Sequence, residues 1–214
     1  MSPRVAGIVL AAGQGARYGA PKQFLELGGA TLVDHSVAVT AQSCDEVVLV
    51  IPAGVVWRGA PVAAVVAGGA TRSASVRAGL TAVTPAAEIV VVHDAARPLA
   101  PAGLFEAVID AVRSGADGAI PALPVADTLK RVEGSEVVAT IPRDGLVAVQ
   151  TPQAFRAECL RAAHAGSDDA TDDAALVERA GGTVIVVPGE VRNIKITGPG
   201  DLALAETLLA AGGA

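Results

Sequence analysis

Short apolar runs alternate with longer amphipathic segments along most of the chain. The segments have the three- to four-residue spacing of helices, whereas the runs are rich in Val and Ile and are bounded by Gly, Pro or charged residues. Five runs predict buried strands: Val5–Leu10, Glu46–Ile51, Val62–Val66, Glu88–His93 and Ala116–Pro121. This alternation predicts an α/β fold of three layers, with a mostly parallel twisted sheet covered by helices on both faces.

Several helices have recognisable ends. Thr31 and Asp34 have the spacing of a capping box, so a helix is expected from there to about Gln42. Pro199 suits the first turn of a last helix, where its missing N–H is not needed. The other predicted elements are helices at Ser73–Val83, Pro101–Arg113, Phe155–Ala165, Asp172–Ala180 and Pro199–Ala211, and strands at Leu146–Gln150 and Asn193–Thr197.

The segment 124–143 breaks the alternation. Two β-prone runs flank Glu133–Ser135, which predicts a hairpin, but too few of its residues are apolar to bury both faces. It is either a solvated surface hairpin or an arm that packs on a second subunit, because an isolated two-stranded ribbon is marginally stable. We therefore expect one domain, residues 1–214, with a projecting arm at about 124–143.

Composition and charge exclude several classes of protein. A net charge of −6 argues against a nucleic-acid-binding protein but allows a small anionic substrate, which needs only a local group of Arg and Lys. No apolar run reaches the roughly 18 residues of a membrane helix. Cys44 and Cys159 lack a metal-binding spacing and suit a reducing compartment. A cytoplasmic protein with no nucleic-acid or membrane partner is expected.

The stretch LAAGQGARYGAPKQF, residues 10–24, is a glycine-rich loop after the first predicted strand. A dinucleotide-binding loop needs a third glycine where Tyr18 stands, and the next strand lacks the acidic residue that binds a ribose. A Walker loop needs Ser or Thr directly after its lysine, but Gln23 follows Lys22. What remains is a longer, looser loop with two cations, Arg17 and Lys22. These cations suit the stabilisation of charge at the phosphorus of a bound polyphosphate, and the alternative is a solvated basic turn.

Other polar groups follow later strands. Gly68–Ser75 is a Gly-Gly turn that leads into a helix and could present N–H groups and a hydroxyl to a ligand. Asp94 and Arg97 place an acceptor and a cation at a strand end, as a ligand contact or as an internal ion pair. His93 is expected to be structural. Lys195 stands between two Ile residues and points away from them, toward a cleft or solvent.

Together these pieces resemble the 2-C-methyl-D-erythritol 4-phosphate cytidylyltransferase family of the non-mevalonate isoprenoid pathway. The resemblance extends over nearly the whole chain, in seven blocks that occur in order: LAAGQGARYGAPKQF, GGATRSAS, VHDAARP, DTLKR, TPQAF, ATDDAALVE and NIKITGPGDLALAE. It implies a nucleotidyltransferase fold and an enzyme that transfers CMP from CTP to methylerythritol 4-phosphate with Mg²⁺. The substrate's phosphate is already an anion, so no general base is implied.

The resemblance also implies a role for each matched residue. Arg17, Lys22, Arg143 and Lys195 are expected to be catalytic cations. The nucleotide would contact Ala11, Ala12, Gly13, Gly15, Gly68 and Ser75. The second substrate would contact Asp94, Arg97, Thr128 and Thr151, with Asp94 also holding the metal. Thr128 and Arg143 lie on the arm, which implies a homodimer in which each arm reaches the neighbouring subunit's site.

Two departures from the family pattern bear on these assignments. Tyr18 stands where Met is frequent, and Arg192 stands where some members have an acidic residue, which leaves Asp94 as the metal ligand. Two alternatives stay open. A related ribitol 5-phosphate cytidylyltransferase uses the same loops, and a regulatory nucleotide-binding protein without turnover would not need the full set of cations.

Overall fold

A twisted sheet organises the part of the chain that the computed structural model describes, residues 4–13 and 21–212. A 3-10 turn at Lys22–Phe24 precedes the first helix. The helices are α1 Leu32–Ser43, α2 Arg72–Ala82, α3 Ala102–Arg113, α4 Ala157–Ala163, α5 Asp173–Arg179 and α6 Pro199–Gly212. The strands are β1 Val5–Leu10, β2 Glu26–Leu27, β3 Ala30–Thr31, β4 Glu46–Ile51, β5 Ala64–Ala67, β6 Ile89–Asp94, β7 Gly118–Pro124, β8 Leu129–Glu133, β9 Glu136–Ile141, β10 Val147–Val149, β11 Gln153–Arg156 and β12 Val184–Pro188.

The central sheet joins eight of the described strands in the order β10-β7-β11-β6-β1-β4-β5, with β12 paired to β7. Strand β1 pairs in parallel with β4 on one side and with β6 on the other. The chain therefore changes direction across the sheet at β1, which makes the carboxyl ends of β1 and β6 a topological switch point. The predicted mostly parallel sheet is confirmed, with β10 and β11 as antiparallel members.

Helices cover both faces of the sheet, as predicted. On one face Ile8 and Val50 pack with side chains of α2, α4 and α5, including Leu80 and Leu160. On the other face the intervening strand residues pack with α1 and α3, where Phe105 is fully buried. This alternation follows from the two-residue period of a strand.

The predicted capping box of α1 is confirmed. The Asp34 N–H donates to Thr31 Oγ1 at 3.2 Å, and the Thr31 N–H donates to Asp34 Oδ2 at 3.0 Å. These bonds satisfy backbone donors that the first turn of a helix leaves without partners. Among the described residues, no helix combines the length and apolar character needed to span a membrane.

Two predicted elements differ from the structure: one helix begins later than expected, and one expected strand does not form. Residues Gln153–Arg156 form strand β11, antiparallel between β6 and β7, so the helix begins at Ala157 rather than at Phe155. A short apolar run followed directly by a helix has no periodicity that separates the two. The segment 193–197 belongs to no sheet among the described residues, although the Ile196 N–H donates to the Ala96 carbonyl at 2.8 Å. Strand β12 and the β2–β3 hairpin were not predicted.

The hairpin predicted within segment 124–143 forms. Strands β8 and β9 pair with each other in a separate two-stranded sheet, and Gly134 between them has a φ of +60°, which favours glycine. Val132 and Val137 are 55% and 56% exposed. The arm therefore carries apolar surface that the described part of this chain leaves uncovered.

Candidate active site

A cavity of about 430 Å³ opens at the carboxyl ends of β1 and β6. Its walls are the segments that follow β1, β5 and β6, together with part of the 193–197 segment. The lining residues are Leu10, Ala11, Ala12, Gly13, Lys22, Gln23, Gly69, Ala70, Thr71, Arg72, Ser75, Asp94, Ala95, Ala96, Lys195 and Thr197. The cavity lies at the switch point of the sheet, where ligands of such folds bind.

The segment after β1 forms one wall through its backbone and small side chains. Three of the predicted nucleotide contacts, Ala11, Ala12 and Gly13, line the cavity. The Ala11 N–H donates to the Val50 carbonyl at 2.7 Å, which ties this wall to β4. Two further predicted residues, Gly15 and Arg17, lie outside the described residues.

A glycine turn with a serine beneath it forms the wall that follows β5. A Cβ added at Gly68 would lie 2.2 Å from the Ala12 Cβ, so only glycine fits against the first wall. The Ser75 hydroxyl accepts from the Gly69 N–H at 3.2 Å and donates to the Thr71 carbonyl at 2.9 Å. The turn is therefore held in shape by Ser75, and Gly68, a predicted nucleotide contact, lies beside the residues that line the cavity.

Lys22 lines the cavity from the 3-10 turn. Its ammonium group donates to the Ile196 carbonyl at 2.5 Å. This bond spans the opening between the segment after β1 and the 193–197 segment. It places a cation of the predicted phosphate loop at the cavity.

Asp94 ends β6 and is held between two cations. The Lys195 ammonium lies 2.6 Å from Asp94 Oδ2, and Arg72 Nε lies 3.4 Å from Oδ1. Burial alone would raise the pKa of Asp94, but the charges of Arg72 and Lys195 outweigh it and hold that pKa well below its usual range. Asp94 therefore presents an ionised carboxylate to the cavity. Lys195, for which the sequence left a cleft or solvent open, lines the cavity with 39% of its side chain exposed.

Arg72 lines the cavity but was not among the predicted site residues. It is the first residue of α2, and its Nη1 donates to Asp173 Oδ2 at 2.7 Å. Burial acts to lower the pKa of Arg72, yet the charges of Asp94 and Asp173 raise it above the usual value. Its position in the GGATRSAS block, one residue after the helix cap, was the available signal. The contacts to Asp94 and Asp173 join distant parts of the chain and leave no local pattern.

Arg97 and Thr151 support the cavity from behind rather than line it. The Arg97 guanidinium donates to the Asn193 carbonyl at 2.7 Å and to the Val149 carbonyl at 3.3 Å. It does not form the ion pair with Asp94 that was one of the two expectations. The Thr151 hydroxyl accepts from the Asp94 N–H at 3.1 Å and lies 3.2 Å from His93 Nδ1. His93 is buried with both ring nitrogens in contact with polar atoms, in accord with a structural role.

Thr128 and Arg143 lie on the arm and do not line the cavity of their own subunit. Both are exposed, and the Arg143 guanidinium donates to the Ala126 carbonyl at the base of the hairpin. The structure thus separates the described members of the predicted set into residues at or beside the cavity, residues that support it from behind, and a pair on the arm.

The charges at the cavity suit an anionic ligand. Among the described residues, three cations line it, Lys22, Arg72 and Lys195, against the single carboxylate of Asp94. Arg and Lys around a phosphate ester stabilise negative charge that develops at phosphorus. The described part of the chain contains no group of three or more His, Cys, Asp or Glu side chains that could hold a metal by themselves.

Comparison with known proteins agrees with this geometry. Residues 5–211 match the family model described as 2-C-methyl-D-erythritol 4-phosphate cytidylyltransferase (IspD). A protein of that name from Deinococcus radiodurans is 49% identical, covering 97% of this chain and 90% of its own length. One from Streptomyces coelicolor is 47% identical, covering 97% of this chain and 85% of its own length.

Solved structures extend the similarity to the backbone. A crystal structure of 2-C-methyl-D-erythritol 4-phosphate cytidylyltransferase from Thermus thermophilus matches with a TM-score of 0.86 and 39% identity, over 98% of this chain and 100% of that one. The chain belongs to the 2-C-methyl-D-erythritol 4-phosphate cytidylyltransferase family.

Proposed function

We propose that the chain performs its family's reaction at the cavity between β1 and β6. It transfers CMP from CTP to 2-C-methyl-D-erythritol 4-phosphate, which gives 4-diphosphocytidyl-2-C-methyl-D-erythritol and pyrophosphate for isoprenoid synthesis. The single observation that carries the site assignment is the group of three cations around Asp94 at the switch point of the sheet.

The chemistry is an in-line displacement at the α-phosphorus of CTP. A phosphate oxygen of the acceptor forms the new P–O bond, and the bond from the α-phosphorus to the oxygen that bridges to the β-phosphorus breaks. The bonding electrons leave with pyrophosphate. No proton has to be removed, because the attacking phosphate is already an anion, so positioning and charge stabilisation supply the catalysis.

Lys22 has the clearest catalytic role in this proposal. Its ammonium group stands at the cavity, where it would stabilise the charge that develops on the triphosphate in the transition state. Arg17 is proposed as the second cation of that pair on the resemblance alone. Lys195 would hold the attacking phosphate, since its ammonium group is partly exposed beside Asp94.

The nucleotide is proposed to lie along the walls after β1 and β5. Backbone groups of Ala11, Ala12 and Gly13, with Gly15 by resemblance, would contact the phosphates and the ribose. The turn at Gly68, held by Ser75, would receive the cytosine edge. The close approach of Gly68 to Ala12 narrows this end of the cavity, which favours a pyrimidine over a larger purine.

The acceptor is proposed to lie against Asp94. That carboxylate is ionised and faces the cavity, so it can accept hydrogen bonds from the hydroxyl groups of a polyol. Thr151 and Arg97 would act from behind, Thr151 by supporting Asp94 and Arg97 by supporting the segment that carries Lys195.

Magnesium is proposed as the metal cofactor. A carboxylate has about four acceptor positions, so Asp94 can bind a cation in addition to Arg72 and Lys195. Mg²⁺ often takes one or two carboxylates and completes its shell with phosphate oxygens and water, and the residues present fit that pattern. Bound there, Mg²⁺ would neutralise charge on the triphosphate.

The arm is proposed to complete the site of a second subunit in a homodimer. Exposed valines on β8 and β9 supply an apolar contact surface, and an isolated hairpin is marginally stable without one. Thr128 and Arg143 would then reach the acceptor's phosphate in the partner's cavity. The cytoplasmic location expected from the sequence stays a prediction.

The test is pyrophosphate release by purified protein with CTP and Mg²⁺. Methylerythritol 4-phosphate and ribitol 5-phosphate are compared as acceptors, and a reaction without an acceptor is the blank. The kcat/KM for pyrophosphate release is expected to be at least tenfold higher with methylerythritol 4-phosphate than with ribitol 5-phosphate. Release with ribitol 5-phosphate alone would overturn the acceptor assignment, and binding of CTP without turnover would favour a regulatory protein.

A further inference from the structure

A fully buried carboxylate lies behind the cavity, where the proposed reaction gives it no direct part. Asp173 is the first residue of α5, and its side chain is 0% exposed. Its Oδ2 accepts from Arg72 Nη1 at 2.7 Å, and its Oδ1 lies 2.9 Å from His164 Nε2. Each oxygen therefore has a partner from a different part of the fold, Arg72 from α2 and His164 from the end of α4.

Arg72 connects this buried carboxylate to the cavity. One side of its guanidinium contacts Asp173, while Nε contacts Asp94, and the side chain remains 24% exposed where it lines the cavity. The planar fork of an arginine can bond two carboxylates at fixed angles, which a lysine cannot do. The orientation of Arg72 is thus set from behind by Asp173, and Arg72 in turn contacts one oxygen of Asp94.

Other hydrogen bonds connect α2 with the segment that precedes α5. The Ala170 N–H donates to Ser73 Oγ at 3.2 Å, and Arg77 donates to the Asp168 carbonyl at 3.0 Å. A buried ion pair also adds little stability compared with apolar residues of the same volume, because both charges lose their hydration. A role at the cavity accounts better for a charge that is costly to bury.

We propose that Asp173, supported by His164, is a positioning residue that acts through Arg72. It fixes the guanidinium so that Arg72 orients Asp94 and presents a rigid cation to the anionic substrates. Arg72 thereby becomes a further substrate-contacting residue of the cavity. The inference rests on the proposed function, because its first readout is CMP transfer.

A double-mutant cycle on kcat/KM tests the coupling. Asp173→Asn keeps the shape of the side chain and removes its charge, while Arg72→Lys keeps a charge and removes the fork. Each single variant is expected to lose about 10- to 100-fold in kcat/KM. In the Arg72→Lys background, Asp173→Asn should lower kcat/KM by less than about threefold, because the guanidinium that Asp173 positions is already absent. The proposal would be overturned if Asp173→Asn lowered kcat/KM equally in the wild-type and Arg72→Lys backgrounds. It would also be overturned if Asp173→Asn alone caused no loss of kcat/KM.

Asp172→Ala is the matched control. Asp172 is the adjacent carboxylate and caps α5, accepting from the Ala175 N–H at 3.1 Å, but has no bond to Arg72. Its removal should cost about 1 kcal/mol of stability and leave kcat/KM within about twofold. A loss equal to that of Asp173→Asn would show that weakening α5 is enough and would overturn the positioning role. If Asp173→Asn does not fold, His164→Gln replaces it in the double-mutant cycle. The same results then support or overturn the positioning role.

A spectroscopic readout separates this inference from the proposed function. The Arg72 Nε–H signal in a ¹H–¹⁵N spectrum, assigned by its loss in Arg72→Lys, should be shifted and protected from exchange in the ligand-free protein. In Asp173→Asn it should move to the position of a solvated arginine. Failure of turnover in the wild type would count against the proposed function alone, whereas an unchanged Arg72 signal would count against the positioning role alone.

Discussion

The cavity and the arm differ in what holds their charged side chains. At the cavity, Asp94 contacts Lys195 and Arg72, and Arg72 contacts Asp173, so each of these four charged side chains has a partner of opposite charge. On the arm, Thr128 and Arg143 are exposed, and the hairpin pairs only with itself among the described strands. One subunit is therefore enough to position the described cavity residues, whereas the arm residues stay exposed within one subunit.

Lys22→Ala is the change expected to affect the cavity most. Loss of one preorganised cation at the transition state should lower kcat by about 1,000-fold, while the fold persists because Lys22 is not part of the core. Steady-state pyrophosphate release measures the rate, and circular dichroism checks the fold.

Lys130→Ala is the matched control for that change. Lys130 is an exposed lysine of the arm that donates to Thr140 Oγ1 at 2.6 Å. It should retain activity within about twofold, as is usual for exposed charges. Turnover that survived Lys22→Ala nearly unaltered would contradict the mechanism proposed for the cavity.

Arg143→Ala tests whether the arm acts on another subunit. We expect a loss of about 100-fold in kcat/KM, since one donor to a reacting phosphate is removed. Mixing this variant with Lys22→Ala should recover activity, because a heterodimer contains one cavity with intact Lys22 that faces an intact arm. Fluorescence transfer between labelled subunits must first show that they exchange. Exchange without recovery would mean that each subunit forms its site alone.

Two glycines sharpen the contrast at the level of stability. Gly68→Ala places a methyl group against Ala12 in the packed wall, so the free energy of unfolding should fall by about 1 to 3 kcal/mol. Gly134→Ala strains the arm's turn, where φ is +60°, but the arm opens locally and global unfolding should stay within about 0.5 kcal/mol. Urea titrations measure both variants.

Gly103→Ala is the reference substitution for these two glycines, because an added Cβ there meets no atom within 4 Å. Equal losses of unfolding free energy at Gly68 and Gly134 would remove the distinction between the two regions.

Local pattern was enough to predict the elements that local chemistry decides. Strand β1 and strand β4 have the predicted bounds, and Thr31 with Asp34 starts α1 as expected. The hairpin around Gly134 was also predictable, because the glycine that its turn requires is visible in the sequence. These features depend on contacts within a few residues.

Features decided by distant contacts were not predictable in the same way. Strand β11 is a strand because β6 and β7 lie on either side of it, and its own residues are also compatible with the start of a helix. Likewise, Arg72 meets Asp173, which lies 101 residues away, and nothing near either residue signals the pair. The resemblance implied that Asp94 and Lys195 share one site, but only the structure shows that they form an ion pair.

The hydrogen bond from Lys22 to the Ile196 carbonyl spans 174 residues of sequence, so the cavity closes between an early segment and a late one. During synthesis, strands β1, β4, β5, β6 and β7 and the segment after β1 emerge well before the segment that carries Lys195. A nascent chain can therefore build most of its core while the cavity is still open on one side. Activity then reports that the later part of the chain has folded onto the earlier part, which links the appearance of catalysis to the completion of folding.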